Sequence, residues 1–269
     1  MNGRSDRSPV TVVTGAAGGI GRCLCDGLRT AGHEVVAVVR SAPPADAWAL
    51  APSLVVQADL SQEAGRQAVV EAVRARFGYL TGLVNNAGIG MGSLRPDYYK
   101  RPLQPAEIDG AAVGRFLAVN AEAPVALTLA LLPLFREGWG CVLNVGTSLT
   151  AMLRPGFLPY AMSKAALESA SAVLAHDLQP SGVAVCVLNP GGPVATPMAQ
   201  RDEAEQRERL IPPQRMVAPV RWALDRANLS TVNGRRITAT TWQEGSRGVG
   251  LAPIAWPQLA SDSSWATAR

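Results

Sequence analysis

The sequence is poor in the residues that metal sites and nucleic-acid-binding surfaces require. Only two histidines and four cysteines occur among 269 residues. The histidines, His33 and His176, are far apart, and no two cysteines have Cys-x-x-Cys spacing. Charged residues make up 17% of the chain, the formal net charge is +4, and like charges form no long run. We therefore expect no metal, no nucleic-acid partner and buried free thiols.

The N-terminus lacks the apolar stretch of a secretion signal. Residues 1–8 carry charged side chains and lead straight into a short apolar run. The longest apolar stretch, 116–135, has about the length of a membrane span but contains Asn120, Glu122 and two prolines. This composition is more typical of a buried helix. We expect a cytoplasmic protein without a membrane partner.

Short apolar runs alternate with longer stretches that repeat apolar residues at helical spacing. The runs predicted as strands are Val10–Thr14, Glu34–Val39, Leu54–Ala58, Leu83–Asn85, Val142–Val145 and Val183–Leu188. The predicted helices include Ile20–Thr30, Ser61–Phe77 and Tyr160–Leu178. Helical crossovers are what parallel strands require. The pattern predicts an α/β fold with a doubly wound parallel sheet of the Rossmann type.

The chain length favours one domain. A chain of 269 residues can bury one sizeable core but is short for two. We expect a single domain over 1–269, with a flexible N-terminus at 1–8 and a C-terminal tail at 243–269.

A glycine-rich turn follows the first predicted strand and opens a helix. Glycines let the backbone turn tightly and approach a ligand, and the N-terminus of a helix attracts anions. In this context the turn is typical of a dinucleotide pyrophosphate site, whereas alone it would be an ordinary flexible turn. The spacing fits two glycine patterns and identifies no subfamily. The expected cofactor contacts here are Gly15, Gly18, Gly19, Ile20 and Gly21.

The second strand ends at Arg40, where an NAD-binding protein would place an acidic residue. The guanidinium group of arginine is a planar, charged fork that suits a 2′-phosphate. The sequence therefore favours NADP(H) over NAD(H). The alternative is a solvated arginine at the end of a strand.

Three motifs occur in the order found in one enzyme family. They are Thr14–Gly21, Asn85-Asn86-Ala87-Gly88 and Tyr160-Ala161-Met162-Ser163-Lys164. On these motifs, the chain resembles the short branch of the short-chain dehydrogenases/reductases over about residues 8–241. The resemblance implies further cofactor contacts: Asp59 and Leu60 at the adenine, Asn86, Ala87 and Gly88 beneath the cofactor, and Val194 and Thr196 at the nicotinamide carboxamide. The loop that carries the last two is one residue longer than usual.

Tyr160 and Lys164 lie four residues apart at the start of a predicted helix, so both side chains share one face. A phenol is a poor base near neutrality unless a cation favours its ionised form, and Lys164 can supply that field. The resemblance implies that Tyr160 exchanges a proton with the substrate oxygen and that Lys164 also holds the nicotinamide ribose. It further implies that Asn120 fixes a water linked to Lys164. The alternative for Asn120 is a polar contact that bends its helix.

A hydroxyl that polarises the substrate oxygen is expected at the end of the fifth strand. Counting back from Tyr160 places Thr147 where the family has serine, with Ser148 one residue later. We expect Thr147 to polarise the substrate oxygen and Ser148 to contact the substrate. A one-residue shift of the loop would exchange these roles, and either hydroxyl could instead form a structural capping hydrogen bond. The apolar residues expected to line the substrate site, or else to pack in the core, are Met91, Met152, Leu153, Phe157 and Met198.

The sequence thus predicts an enzyme, an NADP-dependent oxidoreductase that transfers a hydride between NADP(H) and a carbonyl or alcohol of a small or medium apolar substrate. One alternative is a cofactor-binding regulatory protein without effective turnover. Another is an epimerase or dehydratase with transient hydride transfer. The segment Gly92–Pro102 looks like an insertion; it could cover the substrate, contact a subunit or form a solvated loop. Apolar surfaces on the helices of Asn120 and Tyr160 predict a homodimer or homotetramer.

Overall fold

The computed structural model describes residues 7–199, 210–243 and 250–254. Within them, strands form one sheet in the order β3-β2-β1-β4-β5-β6-β7-β8. The strands are β1 (Val10–Thr14), β2 (Glu34–Val39), β3 (Leu54–Gln57), β4 (Gly82–Asn85), β5 (Gly140–Val145), β6 (Val183–Asn189), β7 (Arg235–Thr238) and β8 (Leu251–Pro253). All neighbours pair in parallel except β7 and β8. The predicted doubly wound α/β sheet is confirmed. The predictions for residues 1–6 and for most of the C-terminal tail lie outside the described residues.

Helices cover both faces of this sheet. The α-helices are α1 (Gly19–Thr30), α2 (Glu63–Arg76), α3 (Gly110–Leu117), α4 (Ala123–Leu131), α5 (Leu149–Met152), α6 (Leu158–Asp177), α7 (Val217–Leu224) and α8 (Leu229–Val232). A π-helical segment, Ala118–Glu122, joins α3 to α4. Short 3-10 turns lie at Met91–Ser93, Pro105–Glu107, Leu132–Leu134, Gln179–Ser181, Pro197–Ala199, Pro213–Met216 and Arg226–Asn228.

The core lies on both faces of the sheet. On one face, α1 and α7 bury Leu24, Leu28 and Val220 against the strands. On the other face, α2 and α4 bury Val69 and Leu127. Because both faces are covered, the inner strands are apolar on both sides, which is why they read as continuous hydrophobic runs.

The structure corrects two expectations. The edge strands β7 and β8 were not predicted, because β7 is short, begins with two arginines and has only Ile237 fully buried. The thiols were all expected to be buried, but Cys23 is only half-buried, since it lies on the more exposed side of α1. Cys25, Cys141 and Cys186 are buried.

The helical stretch Gly110–Leu134 is, in the described part of the chain, the one that is long and apolar enough to cross a membrane by length and composition. A core helix passes the same test. Here Phe116, Leu127 and Leu131 are fully buried within the fold, and the polar Asn120 is buried with hydrogen-bond partners. The stretch therefore packs against the sheet, as expected for a buried helix.

Candidate active site

The strand order places the motifs identified in the sequence along one edge of the sheet. Strands β1 and β4 are neighbours, and the chain leaves them in opposite directions. In such sheets ligands bind beyond the carboxyl ends of the strands, at this reversal of order. The glycine-rich turn follows β1, Asn86 follows β4, Thr147 follows β5 and Gly191 follows β6. The topology thus gathers these residues around one crevice.

The glycine-rich turn is sterically restricted at three glycines. Gly15 has a φ of 62°, and a Cβ there would lie 2.8 Å from the Cα of Ala87. A Cβ on Gly21 would collide with the carbonyl oxygen of Gly15, and one on Gly19 would lie 2.5 Å from Cγ2 of Thr196. At Gly18 the nearest atom would be 3.2 Å away. Of the two glycine patterns, packing therefore restricts Gly15, Gly19 and Gly21 most.

Helix α1 starts directly in this turn, with Gly18 at its N-cap and Ile20 in its first turn. The first N–H groups of a helix have no partner within the helix, and glycine offers no side chain to cap them. This end of α1 can therefore accept an anionic group. A cradle that Cβ atoms would fill, facing a helix N-terminus, fits the pyrophosphate of a dinucleotide.

The segment after β4 is tied to this turn through Thr14. The Thr14 hydroxyl accepts hydrogen bonds from the N–H groups of Asn86 and Ala87, both at 3.0 Å. The Asn86 amide donates to the carbonyls of Thr14 and Gly15, at 2.9 and 3.2 Å. These contacts give Asn86 and Ala87 a structural role. Their contact with a cofactor stays a prediction.

Arg40 follows β2 and Asp59 follows β3, and both are exposed. The pKa of Asp59 is lowered, mainly because the hydroxyl and N–H of Ser61 hydrogen-bond to its carboxylate, and further because Arg40 attracts it. Arg40 is therefore close enough to Asp59 to interact with it. Leu60 is half-buried and packs at the edge of the core beneath them.

Val194 and Thr196, which are expected at the nicotinamide carboxamide, lie on the loop after β6. Val194 is buried and pairs with Ile211, while the methyl of Thr196 faces Gly19. A Cβ on Gly191, whose φ is 93°, would collide with the Thr240 hydroxyl. The loop with its extra residue is thus held between the glycine-rich turn and the end of β7.

Tyr160 and Thr147 meet at the centre of the crevice. Helix α6 begins at Leu158 and puts Tyr160 in its first turn. The Thr147 hydroxyl hydrogen-bonds to the Tyr160 phenol. Ser148 instead caps α5, where its hydroxyl accepts from the N–H of Ala151 at 3.1 Å. The structure therefore brings Thr147, and not Ser148, to the phenol.

Burial shifts the pKa values of Tyr160 and Lys164 in opposite directions. Burial raises the pKa of Tyr160, and the hydrogen bond from Thr147 only partly opposes this effect. Burial also lowers the pKa of Lys164 to about 8. Its ammonium group donates to the carbonyl of Val145 at 2.7 Å. Tyr98 adds to the rise of the Tyr160 pKa, and an effect of Lys164 on the phenol stays a prediction. Tyr160 is thus a proton donor at neutral pH.

Asn120 lies in the π-helical segment and is fully buried. Its amide nitrogen donates to the Ile89 carbonyl at 2.9 Å and to the Ser163 hydroxyl at 3.0 Å, and its oxygen accepts from the N–H of Ile89 at 2.8 Å. Both amide N–H groups are therefore used by the protein. A Cβ on Gly88 would lie 3.0 Å from the Asn120 oxygen and 3.9 Å from Nζ of Lys164. A water fixed by Asn120 would therefore have to donate to the amide oxygen of Asn120.

The apolar residues expected at the substrate site divide into two groups. Met91 and Phe157 are buried in one cluster with Tyr160, and the rings of Phe157 and Tyr160 meet edge to face at 6.3 Å. Met198 is half exposed, and its side chain lies against Gly90. Met152 is buried outside this cluster, and Leu153 is 71% exposed. Leu153 follows the short helix α5, and its contact with substrate stays a prediction.

The segment Gly92–Pro102 packs against the apolar cluster that contains Phe157 and contacts Tyr160. Its Tyr98 is 8% exposed and meets the Phe157 ring edge to face at 5.5 Å. Gly156, with a φ of 79°, lets the end of the segment approach, since a Cβ there would lie 2.7 Å from Pro102. Arg95 braces the segment through an ion pair with Glu107. No local pattern in the sequence predicts this contact of Tyr98, because the contact is tertiary.

A buried ion pair below the site was also missed. Glu168 on α6 is 2% exposed and pairs with Arg236 of β7. Its pKa is raised, mainly by burial. A signal existed in the sequence: Glu168 follows Lys164 by four residues and therefore shares the face of α6 that points to the sheet.

Comparisons with known proteins agree with this geometry. A family model described as short chain dehydrogenase matches residues 9–207. An uncharacterised oxidoreductase from Methylorubrum extorquens is 32% identical over 197 residues, which cover 68% of this chain and 72% of that protein.

Solved structures give the same result. A 3-ketoacyl-(acyl-carrier-protein) reductase from Brucella melitensis, complexed with NADH, superimposes with a TM-score of 0.72 at 27% identity, over 87% of this chain and 97% of that chain. A short chain dehydrogenase from Burkholderia cenocepacia in complex with NADP has a TM-score of 0.72 at 26% identity, over 86% of this chain and 95% of that chain.

Proposed function

Since the chain belongs to the short-chain dehydrogenase family of oxidoreductases, we propose that it transfers a hydride between NADP(H) and a carbonyl or alcohol of a small or medium apolar substrate. One observation carries the proposal: the Tyr160 phenol, hydrogen-bonded by Thr147, lies one helical turn before the buried ammonium group of Lys164. A protonated phenol next to a second hydroxyl is what reduction of a carbonyl requires.

The residues around the crevice divide the work of the reaction. The nicotinamide cofactor, when bound in the glycine cradle, supplies or accepts the hydride. In reduction, the Thr147 hydroxyl hydrogen-bonds to the substrate oxygen, and Tyr160 transfers its proton to that oxygen. The phenolate that forms is stabilised by the charge of Lys164. Oxidation follows the same steps in reverse.

Apolar groups favour an apolar substrate. Phe157, Met91 and Tyr98 are buried beside Tyr160, and apolar linings with a few polar groups are usual for small-molecule sites. We therefore propose an apolar carbonyl compound as the substrate.

Turnover is the first test. NADPH consumption is measured across ketones, aldehydes and quinones, with Tyr160→Phe as the control. We expect Tyr160→Phe to lower kcat roughly 10²–10⁴-fold while NADPH still binds, because only the transferable proton is removed. Tight NADPH binding without turnover of any compound would instead support the cofactor-binding regulatory protein. Equal turnover by Tyr160→Phe would contradict the role of the phenol.

The choice of NADP(H) rests on Arg40. The two solved relatives contain NADH in one case and NADP in the other, so the family alone does not decide. Arg40→Ala is expected to weaken the binding of NADPH about tenfold or more and that of NADH little, because only NADPH carries the 2′-phosphate. Arg74→Ala, an exposed arginine on α2, is the matched control. Equal losses for NADPH and NADH would refute the assignment.

We further propose that the protein is a homodimer or homotetramer. Apolar side chains are exposed along α4 and α6: Leu129 is 50% and Val173 57% exposed, with Leu158 and Met162 nearby in sequence. Exposed apolar residues on long helices are typical of contact surfaces between subunits. Light scattering that shows only a 28.2 kDa species at micromolar concentration would contradict this proposal.

A further inference from the structure

The connection between β2 and β3, residues 40–53, crosses back to the glycine-rich turn. Its indole side chain, Trp48, donates a hydrogen bond from Nε1 to the carbonyl oxygen of Ala16 at 3.1 Å. Trp48 is half-buried and packs against the core cluster that contains Ala16 and Cys25. Its neighbour Ala47 is 3% exposed. This contact fixes the connection to the turn that faces the crevice.

Successive carbonyl groups of the turn all have donors. The Gly15 oxygen accepts from the N–H of Gly18 at 3.0 Å and from the Asn86 amide at 3.2 Å. The Ala17 oxygen accepts from Nε of Arg22 at 2.8 Å. The oxygen between them, on Ala16, is held by Trp48. Three side chains from different parts of the chain thus hold three consecutive peptide groups.

Holding a carbonyl also sets the direction of an N–H group. A peptide unit is planar and trans, so the N–H of Ala17 points away from the Ala16 oxygen that Trp48 holds. An anion is attracted by N–H groups and repelled by carbonyl oxygens. Rotation of this peptide would bring the Ala16 oxygen to the side on which the Ala17 N–H now lies. The indole hydrogen bond opposes that rotation.

The same connection begins at Arg40, on the adenosine side of the crevice. Between its first residue and Ala47, residues 41–46 are exposed or half-exposed. Beyond Trp48, the N–H of Leu50 donates to Asp26 of α1 at 3.0 Å. Trp48 and Leu50 therefore attach the exposed part of the connection to the same structural unit that carries the glycine-rich turn.

We propose that Trp48 is a positioning residue for the phosphate groups of an adenine dinucleotide. It orients the peptide between Ala16 and Ala17 at the pyrophosphate and attaches the connection that starts with Arg40 to the turn. The inference rests on the proposed function, because it requires a dinucleotide in the crevice. Trp48 acts through the backbone and does not itself take part in the chemistry.

The test compares two variants that differ by one hydroxyl. Trp48→Phe keeps an aromatic ring and removes the donor, whereas Trp48→Tyr keeps a donor at the edge of the ring. Kd is measured by calorimetry for NADPH, NADH and ADP, which all contain a pyrophosphate. We expect Trp48→Phe to raise all three Kd values about tenfold, because a carbonyl loses its donor beside an anion, and Trp48→Tyr to raise them less. The KM of the carbonyl substrate and kcat at saturating NADPH should stay unchanged.

Trp222→Phe is the matched control, since Trp222 packs on the same core cluster, against Trp242 at 5.9 Å. It should change Tm without changing any Kd. Unchanged Kd values in Trp48→Phe, or equal losses in the Phe and Tyr variants, would overturn the positioning role. If the unmodified protein binds none of the three ligands, the proposed function itself fails. If the unmodified protein binds these ligands and Trp48→Phe binds them equally well, only this inference fails.

Discussion

The buried ammonium group of Lys164 makes the stability of the cofactor-free protein depend on pH. Lys164 is 7% exposed, and burial lowers its pKa from 10.5 to about 8. Between these two values the unfolded chain holds a proton that the folded protein does not. Stability therefore rises as the pH increases through this window. Below about pH 8 both states are protonated, and the whole penalty for burying the charge is present.

The two pKa values set the size of this penalty. The difference between them corresponds to about 3 kcal/mol at neutral pH, since one pKa unit is about 1.4 kcal/mol. Lys164→Met keeps the length of the side chain and removes the charge. It also removes the donor to the Val145 carbonyl, which costs about 1–2 kcal/mol. At about pH 7, the cofactor-free variant should therefore be more stable than the unmodified protein by about 1–2 kcal/mol.

Urea unfolding of both cofactor-free proteins between about pH 7 and pH 10 measures this effect. The quantity of interest is the difference between the two free energies of unfolding, because Tyr160 and the other titrating groups are present in both. The advantage of Lys164→Met should shrink by about 2 kcal/mol over this range and change sign near its upper end. A difference that is independent of pH would refute the reasoning. Turnover should be lost in the variant at every pH.

Three further predictions concern side chains around the site. Thr147→Val should lower kcat/KM roughly 10²-fold by removing the hydroxyl at the substrate oxygen, whereas Ser148→Ala should lower stability by about 1 kcal/mol with little effect on kcat/KM; steady-state kinetics and thermal unfolding separate them. Arg236→Met should destabilise the protein by about 3–5 kcal/mol in urea at neutral pH, because Glu168 is left buried and unpaired, and the loss should shrink as the pH falls and Glu168 is protonated. Tyr98→Ala should raise KM for ring-containing ketones about tenfold more than for short aliphatic ketones, because it removes an aromatic surface beside Phe157; equal changes in both KM values would show a general structural effect.

The central strands could be predicted from the sequence because their burial is continuous. Val10–Thr14 and Glu34–Val39 match the observed strands β1 and β2 residue for residue, since β-branched runs covered on both faces are strong signals. Strand β7 gave no such signal. Its pairing with β6 depends on Val187 and neighbouring residues far away in the sequence.

The motifs of the site could be predicted from the sequence, but the side-chain contacts between them could not. The positions of Tyr160 and Thr147 follow from spacing along the chain. Counting could not decide between Thr147 and Ser148, because the choice depends on which hydroxyl the start of α5 takes as its cap. The contact of Trp48 with Ala16 joins separate elements, and no local pattern encodes it.

The π-helical segment Ala118–Glu122 has a consequence for the evolutionary paths open to this chain. A π segment is one residue longer than the α-helical turn it replaces, so it behaves as an inherited insertion. Loss of one residue would restore a regular helix but would rotate α4 by about 100° relative to α3. Leu127 would then turn away from the sheet, and Asn120 would lose its hydrogen bond to Ile89. A deletion that makes the helix regular would thus remove core packing and a buried hydrogen bond at the same time.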